Sequence, residues 1–397
     1  MAQAVLRTQV GIVGAGPAGL LLSHLLAREG VASVVVESRS RRHVEERIRA
    51  GVLEQQTVDL LDEAGIGARL RREGLVHHGI KLRFSGRTAR IDFAALTPGR
   101  AVTVYGQHEV VKDLIAARLA AGGTIVFDAE ATSVHGFDGD APTITFSDGT
   151  QTRRIECDFI AGCDGFHGIS RPSIDAGVLR IYERTYPFAW LGILAQAPPS
   201  SEELIYALHD DGFALLSMRS PQITRLYLQC APDEDLGKWS DARIWDALHT
   251  RLEDTSGPRL NEGAILQKSV TPMRSFVAEP MRQGRLFLAG DAAHIVPPTG
   301  AKGMNLAVAD IRLLARALVH WYASNDASAL ENYSDACLRR VWKAQRFSWW
   351  MTSLLHRFDA DSAFDRRRQL AELDYIAGSR AAQTALAENY VGLPLDA

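Results

Sequence analysis

The chain has 397 residues, 46% of them hydrophobic and 23% charged, with a formal net charge of −3. That length predicts two or three lobes with ample core, and the balanced charge argues against a nucleic-acid surface or a disordered acidic tail. No run of about 18 apolar residues is present to cross a bilayer. The segment Met1–Thr8 is too short to be a secretion signal. The cysteines Cys157, Cys163, Cys230 and Cys337 lack C-x-x-C spacing, so unpaired buried thiols in a reducing cytoplasm are expected.

From the N-terminus, Gln9–Val13 reads as a buried parallel strand, followed at once by Gly14-Ala15-Gly16-Pro17-Ala18-Gly19 and an apolar helix over Leu20–Arg28. A second strand, Ala32–Val36, ends in Glu37. In such a unit Gly14 makes the tight turn, Gly16 lets the backbone approach a pyrophosphate, Gly19 lets helix pack on strand, and the acid reaches a ribose hydroxyl. The bland alternative is a Gly-rich turn that binds nothing. A basic run follows, Arg39, Arg41, Arg42 and His43 with Arg47; it suits either a solvated turn or a phosphate-bearing ligand. Only one such fingerprint exists, so at most one dinucleotide lies in a Rossmann cradle.

Two further strand-to-corner signals come later. Asp158–Gly162 leads into Asp164-Gly165, then His167, Ser170 and Arg171. Arg285–Ala289 leads into Gly290-Asp291, then Pro297-Pro298-Thr299-Gly300 and Gly303-Met304-Asn305. Such corners bring a carboxylate and backbone N–H groups against a polar ligand. Their number points to a flavin, whose ribityl chain extends past a single βαβ unit. Between them, Tyr182 to Gln229 alternates as strands do: Leu215, Ser217 and Arg219 share one face, and Arg225, Tyr227 and Gln229 share a face of the next. The stretch Ser220–Thr224 supplies the turn. These faces fit a cavity for an aromatic carboxylate, lined also by Leu204, because an arginine fork fixes position and orientation together. A solvated sheet face is the alternative. Helices are expected over residues 305–322, 330–355 and 365–386, the Trp349-Trp350 pair serving packing or a subunit interface.

Taken in order, the Gly14–Gly19, Asp164-Gly165 and Gly290-Asp291 segments resemble the three fingerprints of the single-component FAD-dependent aromatic hydroxylases. The similarity tightens toward the members acting on 4-hydroxybenzoate at Ile48–Gln55, Ala161–Arg171, Gly290–Gly303, Arg346–Ser353 and Ala387–Pro394, and so covers essentially the whole chain. The implied fold is α/β: a Rossmann-type FAD-binding domain (1–180), a mostly antiparallel β-sheet substrate domain (181–290), and a flavin-covering segment with C-terminal helices (291–397).

The resemblance implies that FAD is bound by Gly14, Gly16, Gly19, Glu37, Arg49, Gln107, Asp291, Thr299, Gly300, Gly303, Met304 and Asn305. It places Ser217, Arg219 and Tyr227 on a substrate carboxylate, with Arg225 near both substrate and flavin. Tyr206 and Tyr390 would hold the substrate phenol, the Pro298 carbonyl would accept from the same hydroxyl, and His77 would carry the proton outward. The implied reaction converts 4-hydroxybenzoate to 3,4-dihydroxybenzoate with O2, by way of a hydroperoxide on the flavin. NADPH, or NADH, would be bound by Arg39, Arg42, His43, Arg47, Arg49, His167, Arg171 and Arg274. Ser38 and His43 depart from the family's usual Arg and Tyr, which leaves the nucleotide preference open; NADPH is expected. The family also suggests a homodimer. Related hydroxylases of 4-aminobenzoate or a dihydroxybenzoate are the nearest rivals, and a non-catalytic flavin-binding module is the rival from another class.

Overall fold

A computed structural model of the protein describes residues 5–47, 51–252 and 259–394. The strand Val10–Val13 is buried at every position and turns at Gly14 into the helix Pro17–Arg28. Pro17 sits in the first turn, where its missing N–H removes no helical hydrogen bond. Leu20, Leu21, Leu22 and Leu26 carry the buried face of that helix.

A six-stranded sheet runs in the order Arg282–Gln283, Leu286–Leu288, Phe159–Gly162, Val10–Val13, Ser33–Val36, Thr124–Val126. All neighbours are parallel except the first pair, a short hairpin. The β-branched run Val34-Val35-Val36 suits a strand buried on both faces, as this one is. The three corners singled out in the sequence therefore leave the carboxyl ends of three adjacent parallel strands. In open α/β sheets, that edge is where ligands bind.

The second sheet has eight strands: His294–Ile295, Ala264–Glu279, Arg180–Gln196, Ile223–Cys230, Gly212–Ser220, Ile205–His209, Gly79–Phe84, Arg87–Asp92. Only the pair Ile205–His209 with Gly79–Phe84 is parallel. One face packs on the helix Asp241–Leu252 through Ile244, Trp245 and Leu248. The opposite face packs on the helices Tyr333–Leu355 and Arg380–Val391 through Phe347, Met351, Leu386 and Tyr390. The two lobes exchange strands. Gly79–Phe84 and Arg87–Asp92 pair into the large sheet, whereas Leu286–Leu288 returns to the Rossmann sheet.

The helices expected over 305–322 and 330–355 are present as Gly303–Ser324 and, after the short turn Ser328–Glu331, Tyr333–Leu355. The helix expected over 365–386 is instead two, Ala363–Gly378 and Arg380–Val391. Ser379 takes an extended backbone and its hydroxyl accepts from the Ala382 N–H, so it starts a new helix where apolar spacing showed no break. The turn in the central hairpin is also tighter than expected, since strands continue to Ser220 and resume at Ile223. All four cysteines are free and buried. Among the described residues, no helix is long and apolar enough to cross a membrane.

Candidate active site

At the first corner Gly14 has φ +102°, and a Cβ there would sit 2.4 Å from the Cys163 carbonyl oxygen. A Cβ on Gly19 would strike the Gly14 oxygen at 2.0 Å. A Cβ on Gly16 would meet nothing within 4 Å, so the open side of the corner lies over Gly16. Glu37 is half-buried and accepts from the Ala15 N–H at 2.8 Å and the Arg39 N–H at 2.9 Å, tying the strand end to the glycine loop. Gln107 begins the helix Gln107–Ala120, at the strand-to-helix junction after Tyr105-Gly106. Arg49 lies outside the described residues, as do Ile48 and Ala50.

The second corner is braced by Asp164, one of whose carboxylate oxygens accepts from the Ser170 N–H and hydroxyl, both at 2.9 Å. Its other oxygen is buried without a partner. Burial raises the Asp164 carboxyl above its ordinary range, against the pull of the Ser170 donors. At the third corner, Gly290 donates its N–H to Asp310 at 3.0 Å, and the same Asp310 oxygen lies 2.7 Å from His294 Nε2. Burial disfavours the His294 charge, but Asp310 outweighs it and the imidazole pKa is raised. The exposed Asp291 is thus presented by a buried His–Asp pair beneath it.

Beyond it runs the turn Pro298–Ala301, closed by the Ala301 N–H donating to the Pro298 carbonyl at 3.0 Å. Ala301 has φ +56°, an uncommon and strained backbone for a residue with a Cβ. The fully buried Thr299 hydroxyl has no partner. The helix Gly303–Ser324 follows, and the N–H groups of its first residues, Gly303, Met304 and Asn305, point out of the helix start. FAD fits these residues: the open side at Gly16 would admit a pyrophosphate, and the helix start with the orphaned Thr299 hydroxyl would offer donors to a polar ring edge. The Asn305 side chain is committed elsewhere. It accepts from the Glu54 N–H and the Thr57 hydroxyl and donates to the Val52 and Ala301 carbonyls, leaving only its backbone for a ligand.

The residues expected to hold a substrate carboxylate stand on the large sheet. Tyr206, Leu215, Tyr227 and Gly192 are cross-strand partners in one row and so share a face. Ser217 and Arg225 form the adjacent pair. The two faces read from alternation therefore meet. Arg219 Nη1 donates to the Met218 carbonyl and Nη2 reaches the Tyr227 hydroxyl at 3.5 Å, while Arg225 lies 5.0 Å over the Tyr227 ring. Both guanidiniums bury an unpartnered Nε–H, and among the described residues no carboxylate comes within ion-pair distance of either. Burial raises the Tyr227 phenol, but Arg219 and Arg225 together outweigh this and lower it. Gly192 makes the room: a Cβ there would sit 2.6 Å from Arg225 Nη2.

The Tyr206 and Tyr390 hydroxyls are 2.6 Å apart, both rings almost wholly buried. Burial pushes both phenols above their ordinary range. His77 is buried at the end of the strand Leu75–His77, with Nδ1 unpartnered and no hydrogen bond to either tyrosine. Burial brings its imidazole down to about 4.

The residues assigned to the reductant fall into two groups. Arg39, Arg42, His43 and Arg47 lie on or beside the exposed helix Arg41–Glu46, where Arg41 pairs with Glu45 at 2.7 Å and Arg42 with Glu46 at 2.9 Å. Two of the run's arginines thus carry an acidic partner on the same exposed helix. Phe166 gathers the second group: Arg171 and Arg274 stack on its ring at 4.7 and 4.6 Å, with His167 edge-on at 5.0 Å. Arg171 also donates to the Ala292 and Phe166 carbonyls, which commits two of its five N–H donors to the fold.

One cluster escaped the sequence reading. Lys302, 4% exposed, donates to Glu54 at 2.6 Å and to the Tyr390 carbonyl at 3.0 Å, and Arg340 meets the other Glu54 oxygen at 2.9 Å. Only a lysine between glycines at a helix start hinted at it.

The sequence pattern of the FAD binding domain family matches residues 7–348. Over 391 residues the chain is 51% identical to p-hydroxybenzoate hydroxylase of Acinetobacter baylyi, covering 98% of this chain and 96% of the relative. It is 24% identical over 310 residues to 3-(3-hydroxy-phenyl)propionate/3-hydroxycinnamic acid hydroxylase 1 of Burkholderia vietnamiensis, covering 76% of this chain and 48% of that protein. The fold matches the crystal structure of p-nitrophenol 4-monooxygenase from Pseudomonas putida with a TM-score of 0.82, at 20% identity, covering 98% of this chain and 100% of that one. The likeness to flavin hydroxylases carried by the three corners thus extends along the whole polypeptide, and the chain belongs to the FAD binding domain family.

Proposed function

We propose that the protein is a flavin-dependent monooxygenase that hydroxylates 4-hydroxybenzoate at carbon 3, giving 3,4-dihydroxybenzoate (protocatechuate) at the expense of O2 and NAD(P)H. The reading rests on one observation. A pair of guanidiniums without an anionic partner among the described residues shares a sheet face with a buried tyrosine dyad, Tyr227 and Tyr206 standing two strands apart. That is roughly 10 Å between backbones, a span that a benzene ring with a carboxylate at one end and a hydroxyl at the other can bridge. The name of the Acinetobacter relative supports the same substrate.

Bound FAD supplies the activation of O2 for transfer of one oxygen atom to an electron-rich ring. The chain's own residues do the rest. Arg219, with Ser217 and Tyr227, holds the carboxylate by charge-assisted hydrogen bonds, and this orients the ring. Tyr206 accepts the phenolic proton while passing its own to Tyr390, which leaves a phenolate with more electron density at its ortho carbon. The Pro298 carbonyl keeps one lone pair beside its bond to Ala301 and can accept from the same hydroxyl. His77, neutral and with a free Nδ1, is the onward acceptor. Burial of the tyrosines keeps water from the reacting face.

NADPH as the preferred reductant, with NADH usable, is supported by Arg39 beside the glycine loop and by the His167, Arg171, Arg274 cluster. Four buried free thiols suit a cytoplasmic setting, and the exposed Trp342 and Trp349 suit a homodimer contact. Purified protein with FAD, NADPH, O2 and 4-hydroxybenzoate tests the main reading. Chromatographic identification of 3,4-dihydroxybenzoate bears it out. No substrate-stimulated NADPH oxidation would favour a non-catalytic flavin-binding module instead.

A further inference from the structure

We propose that His356, remote from substrate, is a positioning residue for the Arg219–Tyr227 clamp, acting through Trp190 as a hydrogen-bond acceptor. The proposal rests on the reading of that clamp as the carboxylate site. Trp190 Nε1 lies 2.7 Å from His356 Nε2, in a fully buried setting. An indole N–H can only donate, so Nε2 accepts and the imidazole proton resides on Nδ1. Nδ1 in turn donates to the Thr352 carbonyl at 2.9 Å, one turn back on the helix Tyr333–Leu355. The tautomer is therefore fixed at both ends. Burial drives the His356 pKa down to about 3, so the ring is neutral at any working pH.

The rings are stacked as well as bonded. His356 lies face to face with Phe188 (4.6 Å, 7°) and Phe213 (4.3 Å, 21°), and Trp190 stacks on Phe213 (5.0 Å, 10°). Trp190 then packs at 4.8 Å on Tyr227, whose hydroxyl reaches Arg219. The adjoining residue, Arg357, is bolted to the same strand: Gln229 donates to its carbonyl and accepts its N–H. A column of aromatic rings thus runs from the end of a C-terminal helix to the back of the clamp. If Trp190 loses its acceptor, a buried donor is left unpaired, and the ring has reason to turn away from Tyr227.

Two variants and their combination decide the matter, read by titrating the holoenzyme's flavin absorbance with 4-hydroxybenzoate. His356→Phe keeps a ring in the stack but removes the acceptor; Kd is expected to rise about tenfold, with kcat at saturation within about twofold of the parent and FAD retained. Adding Trp190→Phe removes the orphaned donor and is expected to restore most of the affinity. An unchanged Kd in His356→Phe, no recovery in the double variant, or loss of FAD in parallel with loss of affinity would each overturn the proposal. If His356→Phe does not fold, Trp190→Leu carries the test: it strips the ring from behind Tyr227 without orphaning a donor, and an unaltered Kd there refutes the link. Arg219→Ala, run alongside, keeps the two readings apart. If it leaves Kd unmoved, the clamp assignment itself fails, whatever His356 does.

Discussion

The hydroxyl of Tyr206 lies 2.6 Å from that of Tyr390, although 184 residues separate the two in the chain. A sheet strand supplies the first and the last described helix supplies the second. Because both phenols are raised by burial, the pair remains protonated across the ordinary pH range and can relay a proton without carrying a charge at rest.

Replacing Tyr206 by Phe removes the first acceptor of the substrate proton while keeping the ring. Hydroxylation is expected to fall by about 10²-fold, with the Kd for 4-hydroxybenzoate moving by no more than about threefold. Single-turnover product yield set against a binding titration checks this; equal losses in both would assign Tyr206 to binding alone.

Arg219 is expected to show the opposite split. Arg219→Lys retains the charge but loses the planar fork, so 4-hydroxybenzoate binding weakens by about tenfold, and Arg219→Ala weakens it by roughly a hundredfold. Turnover at saturating substrate suffers less than affinity in both. A phenol without a carboxylate, titrated in parallel, is expected to be indifferent to these substitutions.

Glu54 faces two cations in a nearly dry setting. Glu54→Gln leaves Lys302 and Arg340 without their anion, and breaking a buried pair from one side costs about 3 kcal/mol or more. Urea unfolding is expected to show that loss, with partial recovery in Glu54→Gln/Lys302→Met. No loss in the single variant would mean that water already reaches the pair.

The buried His77 ties stability to pH. Its folded value of about 4 lies below the ordinary 6.5, so between these two the unfolded chain binds more protons than the folded one. Stability from this group is complete above pH 6.5 and drains away as pH falls toward 4. His77→Asn is expected to flatten that part of a Tm-against-pH profile. A profile that keeps its full slope would show that other groups dominate.

Much of this architecture could be read ahead of the structure, because periodicity and glycine spacing report backbone geometry. Gly14 and Gly19 are required by approaches of 2.4 and 2.0 Å, and such constraints leave fixed letters at fixed intervals. Alternation placed Ser217, Arg225 and Tyr227 on one face because pleating has a period of two, whereas a register shift between Met218 and Ser220 takes Arg219 out of that count although its guanidinium still reaches Tyr227. What stayed hidden were contacts between distant segments. Glu54 with Lys302, Gly290 with Asp310, and Trp190 with His356 obey no local spacing rule, since each is made only when two folded layers close. Likewise the ion pairs of Arg41 with Glu45 and Arg42 with Glu46, one helical turn on, went unremarked in a run read only for its positive charge.

The ammonium of Lys302 joins the loop that would cover the flavin to the helix carrying Tyr390, because it donates to the Tyr390 carbonyl while the Glu54 carboxylate holds it in place. A cofactor under that loop and an aromatic acid against Tyr390 would therefore sit at opposite ends of one contact. If a shift of the loop were passed to the phenol end through that contact, thermodynamic reciprocity would require each ligand to alter the other's affinity by the same factor.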